Sequence, residues 1–386
     1  MLTQRIQAVQ PSSTLRITAL AKQLKAQGKQ VVNLAAGEPD FDTPEPIKQA
    51  AIRAIQEGFT KYTPTTGLPE LKSAIAARLA KDRGVTFKPE QVAVTCGAKQ
   101  ALFNILQVLV QSGDEVLVPS PYWVSYPEMI RLAGAVPVEV RTEPGQGFQL
   151  DLERLKRAVT PRTRCMILNS PSNPTGAILR EGCLREAARF LLERGLWVIS
   201  DEIYSRLVYD AGGSPSVAKV EPALSERTVI VDGVSKAYAM TGWRIGYMAG
   251  PPEVVEAAGR LQDHSTSNPA SISQRAAVAA LTMDQAPVDR MVEEFRRRRD
   301  FLVERLAKIP RISFFKPEGA FYCFIDISAT GLGSTAFVER LLEEAWVALI
   351  PGAGFGWDTH VRASFAAGIE ELREGLDRLE KFVRAL

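Results

Sequence analysis

From residue 92 to residue 233 the chain repeats one unit: a short apolar run, a polar loop holding Gly or Pro, and a helical stretch. The runs are VAVT (92–95), EVLVPS (115–120), VPVEV (136–140), CMILNS (165–170), LWVISDE (196–202) and TVIVDG (228–233). Runs that are apolar along their length, rather than at every second residue, belong to strands buried on both faces. The helices between them, such as those expected from Ala98 to Val110 and around Leu184–Arg194, supply the cover. The pattern predicts an α/β fold with a mostly parallel central sheet flanked by helices.

In such sheets ligands bind beyond the carboxyl ends of the strands. Chemistry is therefore expected in the loops TCGAK, VPSPYW, NSPSNPTG, SDEIY and DGVSK. After about residue 287 the pattern changes to a charged helix (VEEFRRRRDFLVERLAK), strands near FYCFIDI, VALI and HVRASF, and a terminal helix. That reads as a smaller α+β domain, and 386 residues are too many for one ordinary domain.

Charge and cysteine usage remove several classes of function. With 47 basic and 44 acidic residues the net charge is +3, which gives no electrostatic case for nucleic acid or an anionic membrane. Cys96, Cys165, Cys183 and Cys323 are scattered, and with His264 and His360 they make no zinc pattern, so no metal is expected. The start, MLTQRIQAVQ, lacks the order of a signal peptide, and no apolar run approaches membrane-spanning length. A cytoplasmic protein with free thiols is expected.

Several residues stand out against their surroundings. Lys236 follows a buried strand in VDGVSKAYAM, where an ammonium is out of place unless it is paired or reactive. A desolvated lysine is the residue type that forms Schiff bases with carbonyl compounds. Asp201 ends another strand; taken alone it reads first as a helix N-cap, and second as a partner for a protonated ring nitrogen. Asn169 opens NSPSNPTG, a turn whose first amide can reach a ligand. Gly97-Ala98-Lys99 begins a helix whose N-terminus suits phosphate, with Lys99 either solvated or near an anion. Arg244 and Arg362 are flanked by apolar residues and need anionic partners. The run Arg296–Arg299 reads as a solvated helix face beside Glu293, Glu294 and Asp300.

Taken in order, Asn169 with NPTG, Asp201-x-x-Tyr204, Ser235-Lys236, Gly242-Trp243-Arg244-x-Gly246 and Arg362 resemble the class I aminotransferases of pyridoxal 5′-phosphate (PLP) fold type I. The resemblance runs from AAGEPDFDTP (35–44) to the final helix. GAKQALFN (97–104) and SPYWVSYPEM (120–129) bring it nearest the bacterial aspartate aminotransferases, some of which also aminate prephenate. It implies a large PLP-binding domain at 45–286, with 1–44 forming an arm and part of the small domain completed by 287–386.

The resemblance also implies roles. Lys236 forms the Schiff base and moves the proton between Cα and C4′, Asp201 pairs with the pyridine nitrogen, and Asn169 and Tyr204 bond the phenolate oxygen. Ser235, Arg244 and the backbone at Gly97–Ala98 hold the phosphate, Trp123 stacks on the ring, and Tyr62 reaches the phosphate of a neighbouring subunit, making a homodimer. Arg362 grips the substrate α-carboxylate, with Gly37 and Trp123 or Asn169 helping. Lys99, aided by Ser13 and Thr14, meets a side-chain carboxylate. The expected reaction is a ping-pong exchange of an amino group between aspartate or glutamate and 2-oxo acids. The alternatives are a broader or different substrate range such as prephenate, and a PLP lyase on the same fold, distinguished by whether the cofactor keeps the amino group. A PLP-binding regulator lacks the basic DNA-binding module here. A dinucleotide oxidoreductase would need PGAGFG (351–356) in a first strand–turn–helix unit, not in the late α+β region.

Overall fold

The computed structural model describes residues 2–10, 13–210 and 213–386, apart from the side chains of 4, 5 and 13–16. Seven strands form one sheet: β1 (Val92–Thr95), β2 (Glu115–Ser120), β3 (Val136–Arg141), β4 (Thr163–Asn169), β5 (Trp197–Asp201), β6 (Thr228–Gly233) and β7 (Gly246–Ala249). Their order is β1-β7-β6-β5-β4-β2-β3. All neighbours run parallel except at β7, which is antiparallel to both β1 and β6. Every residue of β1, β6 and β7 is buried, as continuous apolar runs require. Edge strand β3, by contrast, is largely open and carries Pro137, Glu139 and Arg141, which blunt it against further pairing.

Register carries the site. Asn169, the last residue of β4, lies opposite Asp201, the last of β5, and Asp201 lies opposite Val231 on β6. The amide and the carboxylate, 32 residues apart in sequence, are thereby neighbours at the carboxyl edge.

A second, four-stranded sheet includes β8 (Tyr322–Asp326) and β9 (His360–Ser364), paired antiparallel with Phe324 opposite Arg362. The terminal helix (Ile369–Ala385) buries Leu372, Leu376, Leu379 and Val383 at helical spacing. It lies so close to the early chain that a Cβ on Gly375 would come within 2.9 Å of Val32 and Leu34. Val32–Asn33 pairs with Val347–Ala348, and the Ser364 amide donates to the Leu34 carbonyl, so the start of the chain joins its end.

One expectation is corrected here. In the helix Ala286–Leu306, Arg296 and Arg297 are solvated and paired with Glu293 and Glu294, but Arg298 and Arg299 are 5% and 1% exposed. They share the inner face with Phe295 and Leu302. Arg298 reaches Asp40 (2.7 Å), and Arg299 holds Asp210 through both terminal nitrogens (2.5 and 2.8 Å). A buried guanidinium needs such partners, and these come from distant segments. Among the described residues no helix is long and apolar enough to cross a membrane.

Candidate active site

A cavity of about 360 Å³ opens at the carboxyl edge of the seven-stranded sheet. Asn169, Asp201, Tyr204, Ser235 and Lys236 enter it from the ends of β4, β5 and β6, and Arg362 enters from β9. Gly37, Ala98, Lys99, Trp123 and Arg244 complete much of the wall. A larger hollow, about 820 Å³, lies at the opposite strand ends around Gln107–Asp114 and Trp197. Its buried carboxylate, Asp114, is already paired with Arg164 (3.2 Å), and none of the candidate residues faces it.

Asp201 is 3% exposed, and burial pushes its carboxyl up to about 6. The Tyr126 hydroxyl donates to one oxygen (2.7 Å) and the Ile203 amide to the other (3.2 Å), and both favour the charged form. No helix follows Asp201, so the expected N-cap is not formed: the chain turns instead, the Ile203 bond is a local turn contact, and the other oxygen is left for Tyr126. Asn169 is held from both ends: its Nδ2 donates to the Asp201 carbonyl (3.1 Å), while its Oδ1 accepts from the Asn173 amide (2.8 Å).

Lys236 donates to the Gly37 carbonyl (2.7 Å). Burial lowers its pKa to about 8, with Glu38 opposing and the charges of Arg362 and Arg244 assisting. An ammonium that loses its proton so readily is a nucleophile and base near neutral pH.

The helix Ala98–Leu109 starts at Gly97, whose φ of 84° is a glycine conformation. A Cβ there would lie 2.3 Å from an Arg244 nitrogen, and one on Gly246 would lie 2.1 Å from the Ala98 amide nitrogen. The two glycines let the helix start, Arg244 and the β6–β7 loop converge into a cradle for an anion. Arg244 itself does not sit in a strand: it is exposed with φ 56°, donating to the Thr241 and Cys96 carbonyls. It thus stands at the rim and, among the described residues, pairs with no carboxylate. Lys99 places its ammonium 4.9 Å from the Trp123 ring centroid, and burial and Arg244 lower its pKa.

Arg362 is buried and, among the described residues, has no carboxylate partner. It donates to Asn173 Oδ1 (3.0 Å) and the Ala35 carbonyl (2.9 Å), and its Nε has no acceptor among the described residues. Tyr322 and Phe355 face its guanidinium at 4.3 and 5.4 Å. A desolvated cation with an unused donor suits an incoming carboxylate.

Three residues at this site were not singled out by the sequence: Tyr126, Tyr322 and Asn173. Each looked like core or turn, although all three lay in quoted segments: Tyr126 in SPYWVSYPEM, Asn173 in NSPSNPTG and Tyr322 in FYCFIDI. Gly97 is not among the lining residues, and Tyr62, expected to serve a neighbouring subunit, is 92% exposed and does not line this chain's own cavity. Ser13 lies in a helix with Thr14, and both side chains lie outside the described ones.

Among the described residues the lining includes four cations, Lys99, Lys236, Arg244 and Arg362, against one carboxylate, Asp201. PLP fits this set: a phosphate for the cradle, a ring nitrogen for Asp201, an aldehyde for Lys236, with cations left for a substrate.

The model of the family described as aminotransferase class I and II matches residues 29–379. An aspartate aminotransferase of Geobacillus stearothermophilus is 47% identical, covering 100% of this chain and 99% of its own. An aspartate/prephenate aminotransferase of Thermus thermophilus is 47% identical, covering 98% of each. The solved structure of the aspartate aminotransferase from Thermus thermophilus with maleate has a TM-score of 0.95 at 46% identity over 100% of both chains. That from Rhizobium meliloti has a TM-score of 0.96 at 42% identity, covering 100% of this chain and 99% of its own. Similarity this high over the full length, with a PLP-shaped charge pattern in the cavity, leaves one conclusion: the chain belongs to the class I and II aminotransferases and is a PLP-dependent enzyme.

Proposed function

We propose that the enzyme transfers an amino group between L-aspartate or L-glutamate and 2-oxo acids. The observation that carries this reading is the charge of the cavity, four cations around one buried carboxylate. PLP supplies an electron sink for the carbanion left when a proton leaves Cα. The protein residues do the rest. Arg362 binds the substrate α-carboxylate and so orients Cα towards Lys236, which removes the proton as a free amine and returns it at C4′. Tyr126 favours the ionised form of Asp201, which would pair with the ring nitrogen. Asn169 and Tyr204 would bond the ring oxygen, while Ser235, Arg244 and the Ala98 amide would hold the phosphate. Trp123 would cover the ring and exclude water, and Gly37 would border the carboxylate end. A second substrate carboxylate goes to Lys99.

The half-reaction tests the proposal. With PLP bound, L-aspartate or L-glutamate should abolish the long-wavelength absorption of the lysine-linked cofactor and release the matching 2-oxo acid. Absorption unmoved by either donor rejects the reading. Lys99→Ala should cut kcat/KM for aspartate about 10- to 100-fold, as for a lost charge-assisted contact in a dry pocket, and leave alanine little changed. An equal loss for both amino acids removes Lys99 from the specificity pocket.

We also infer a cytoplasmic homodimer, with 1–44 and 287–386 acting as one unit against 45–286. Tyr62, at 92% exposed, and Ile52 and Ile55, at 42% and 55%, offer a surface for the second subunit, where Tyr62 would serve the neighbouring phosphate. Sedimentation at micromolar concentration should show a dimer. A monomer with full activity would rule out shared sites.

A further inference from the structure

Tyr322 lies on β8 opposite Ser364, 1% exposed. Its ring faces the Arg362 guanidinium at 4.3 Å, and its hydroxyl lies 3.0 Å from that of Tyr204. The two tyrosine rings meet edge to face, 5.7 Å between centroids. One side chain therefore touches both the arginine assigned to the substrate carboxylate and the tyrosine assigned to the cofactor's ring oxygen.

Each half of the side chain has its own physical reason. Among the described residues buried Arg362 has two neutral oxygens as acceptors and no counter-ion, so the aromatic face of Tyr322 compensates its charge. A phenylalanine would provide that face equally well. A buried hydroxyl costs stability unless it is bonded, and the partner of this one is Tyr204. The cation over its ring draws electron density from Tyr322 and makes it the better donor of the pair. If Tyr322 donates to the Tyr204 oxygen, the Tyr204 proton is free to point into the cavity, and the donors strengthen one another in series.

We propose that Tyr322 is a positioning residue for transamination, its ring seating Arg362 and its hydroxyl aiming the Tyr204 proton at the cofactor. The proposal rests on the roles assigned above to Tyr204 and Arg362. It makes separate demands on two variants. Tyr322→Phe keeps the seat and loses the relay. Tyr322→Leu loses both.

The experiment uses the holoenzyme, with maleate as an unreactive dicarboxylate and the visible absorption of the bound cofactor titrated against pH. A donor to the ring oxygen stabilises its anionic form and lowers the pH midpoint, so weakening that donor raises it. Tyr322→Phe should bind maleate as the wild type does, while its midpoint rises by about half a pH unit or more. Tyr322→Leu should show the same rise and bind maleate about 5- to 30-fold more weakly. Loss of packing alone would lower the melting temperature of Tyr322→Leu and leave the Tyr322→Phe midpoint in place. An unshifted midpoint in Tyr322→Phe, or wild-type maleate affinity in Tyr322→Leu, overturns the proposal while the function stands. A wild-type enzyme whose absorption has no pH-dependent form would overturn the assigned roles, and this proposal with them.

Discussion

Lys236→Ala should reduce turnover by roughly 10⁴-fold or more, because it removes both the covalent anchor and the base that moves the substrate proton. The variant should bind PLP without the long-wavelength absorption of the lysine-linked form. Normal transamination by Lys236→Ala would refute the assignment outright. The buried position adds a pH dependence. With its pKa lowered to about 8, the fraction of Lys236 present as free amine climbs with pH and levels off above that value. Capture of PLP by protein stripped of cofactor should follow the same curve, steep below about pH 8 and flat above it. An ordinary surface lysine would keep accelerating to beyond pH 10.

Arg362→Ala is expected to lower kcat/KM for every amino donor by about 30- to 5,000-fold, the range for losing one partner of a buried charge pair at about 2–5 kcal/mol. Aspartate and alanine should suffer alike, since both present an α-carboxylate; that separates Arg362 from Lys99. The stability change should go the other way from activity, or nowhere. Removing an uncompensated buried guanidinium relieves a desolvation cost of several kcal/mol. Against this stand the Asn173 and Ala35 oxygens left without donors, at about 1–3 kcal/mol each. A melting temperature that holds while kcat/KM collapses identifies a binding group; a parallel fall in both would mark Arg362 as structural.

What the sequence revealed divides along physical lines. The strands of the large sheet were legible because double burial writes itself as uninterrupted apolar runs, as in VAVT and TVIVDG. Residues at or just past the ends of those runs, such as Asn169 and Ser235, were legible for the same reason. The placement of Asn169 beside Asp201 was not, because register is a relation between two segments and neither one records it. Tyr126 and Tyr322 escaped notice because a buried tyrosine reads as core until its hydroxyl partner is known. Arg298 and Arg299 were misplaced because nearby Glu293, Glu294 and Asp300 offered ready local partners. Those local partners are used, Glu294 by Arg298 and Asp300 by Arg299, but Asp40 and Asp210, which also hold the two arginines, lie 258 and 89 residues away.

The antiparallel strand β7 has a consequence for how such an enzyme can vary. The loop Val234–Ile245 leaves β6 and returns directly as β7, with Gly233 registered against Gly246. It therefore behaves as a closed loop of fixed circumference, carrying Ser235 and Lys236 near one foot and Arg244 near the other. An inserted residue cannot be absorbed at either foot, since both are clamped in the sheet interior, so it would displace nucleophile and phosphate ligand together. The Lys99 segment packs against one foot of that loop, whereas the wall bearing Trp123 comes from a separate segment, and changes there leave the catalytic loop untouched.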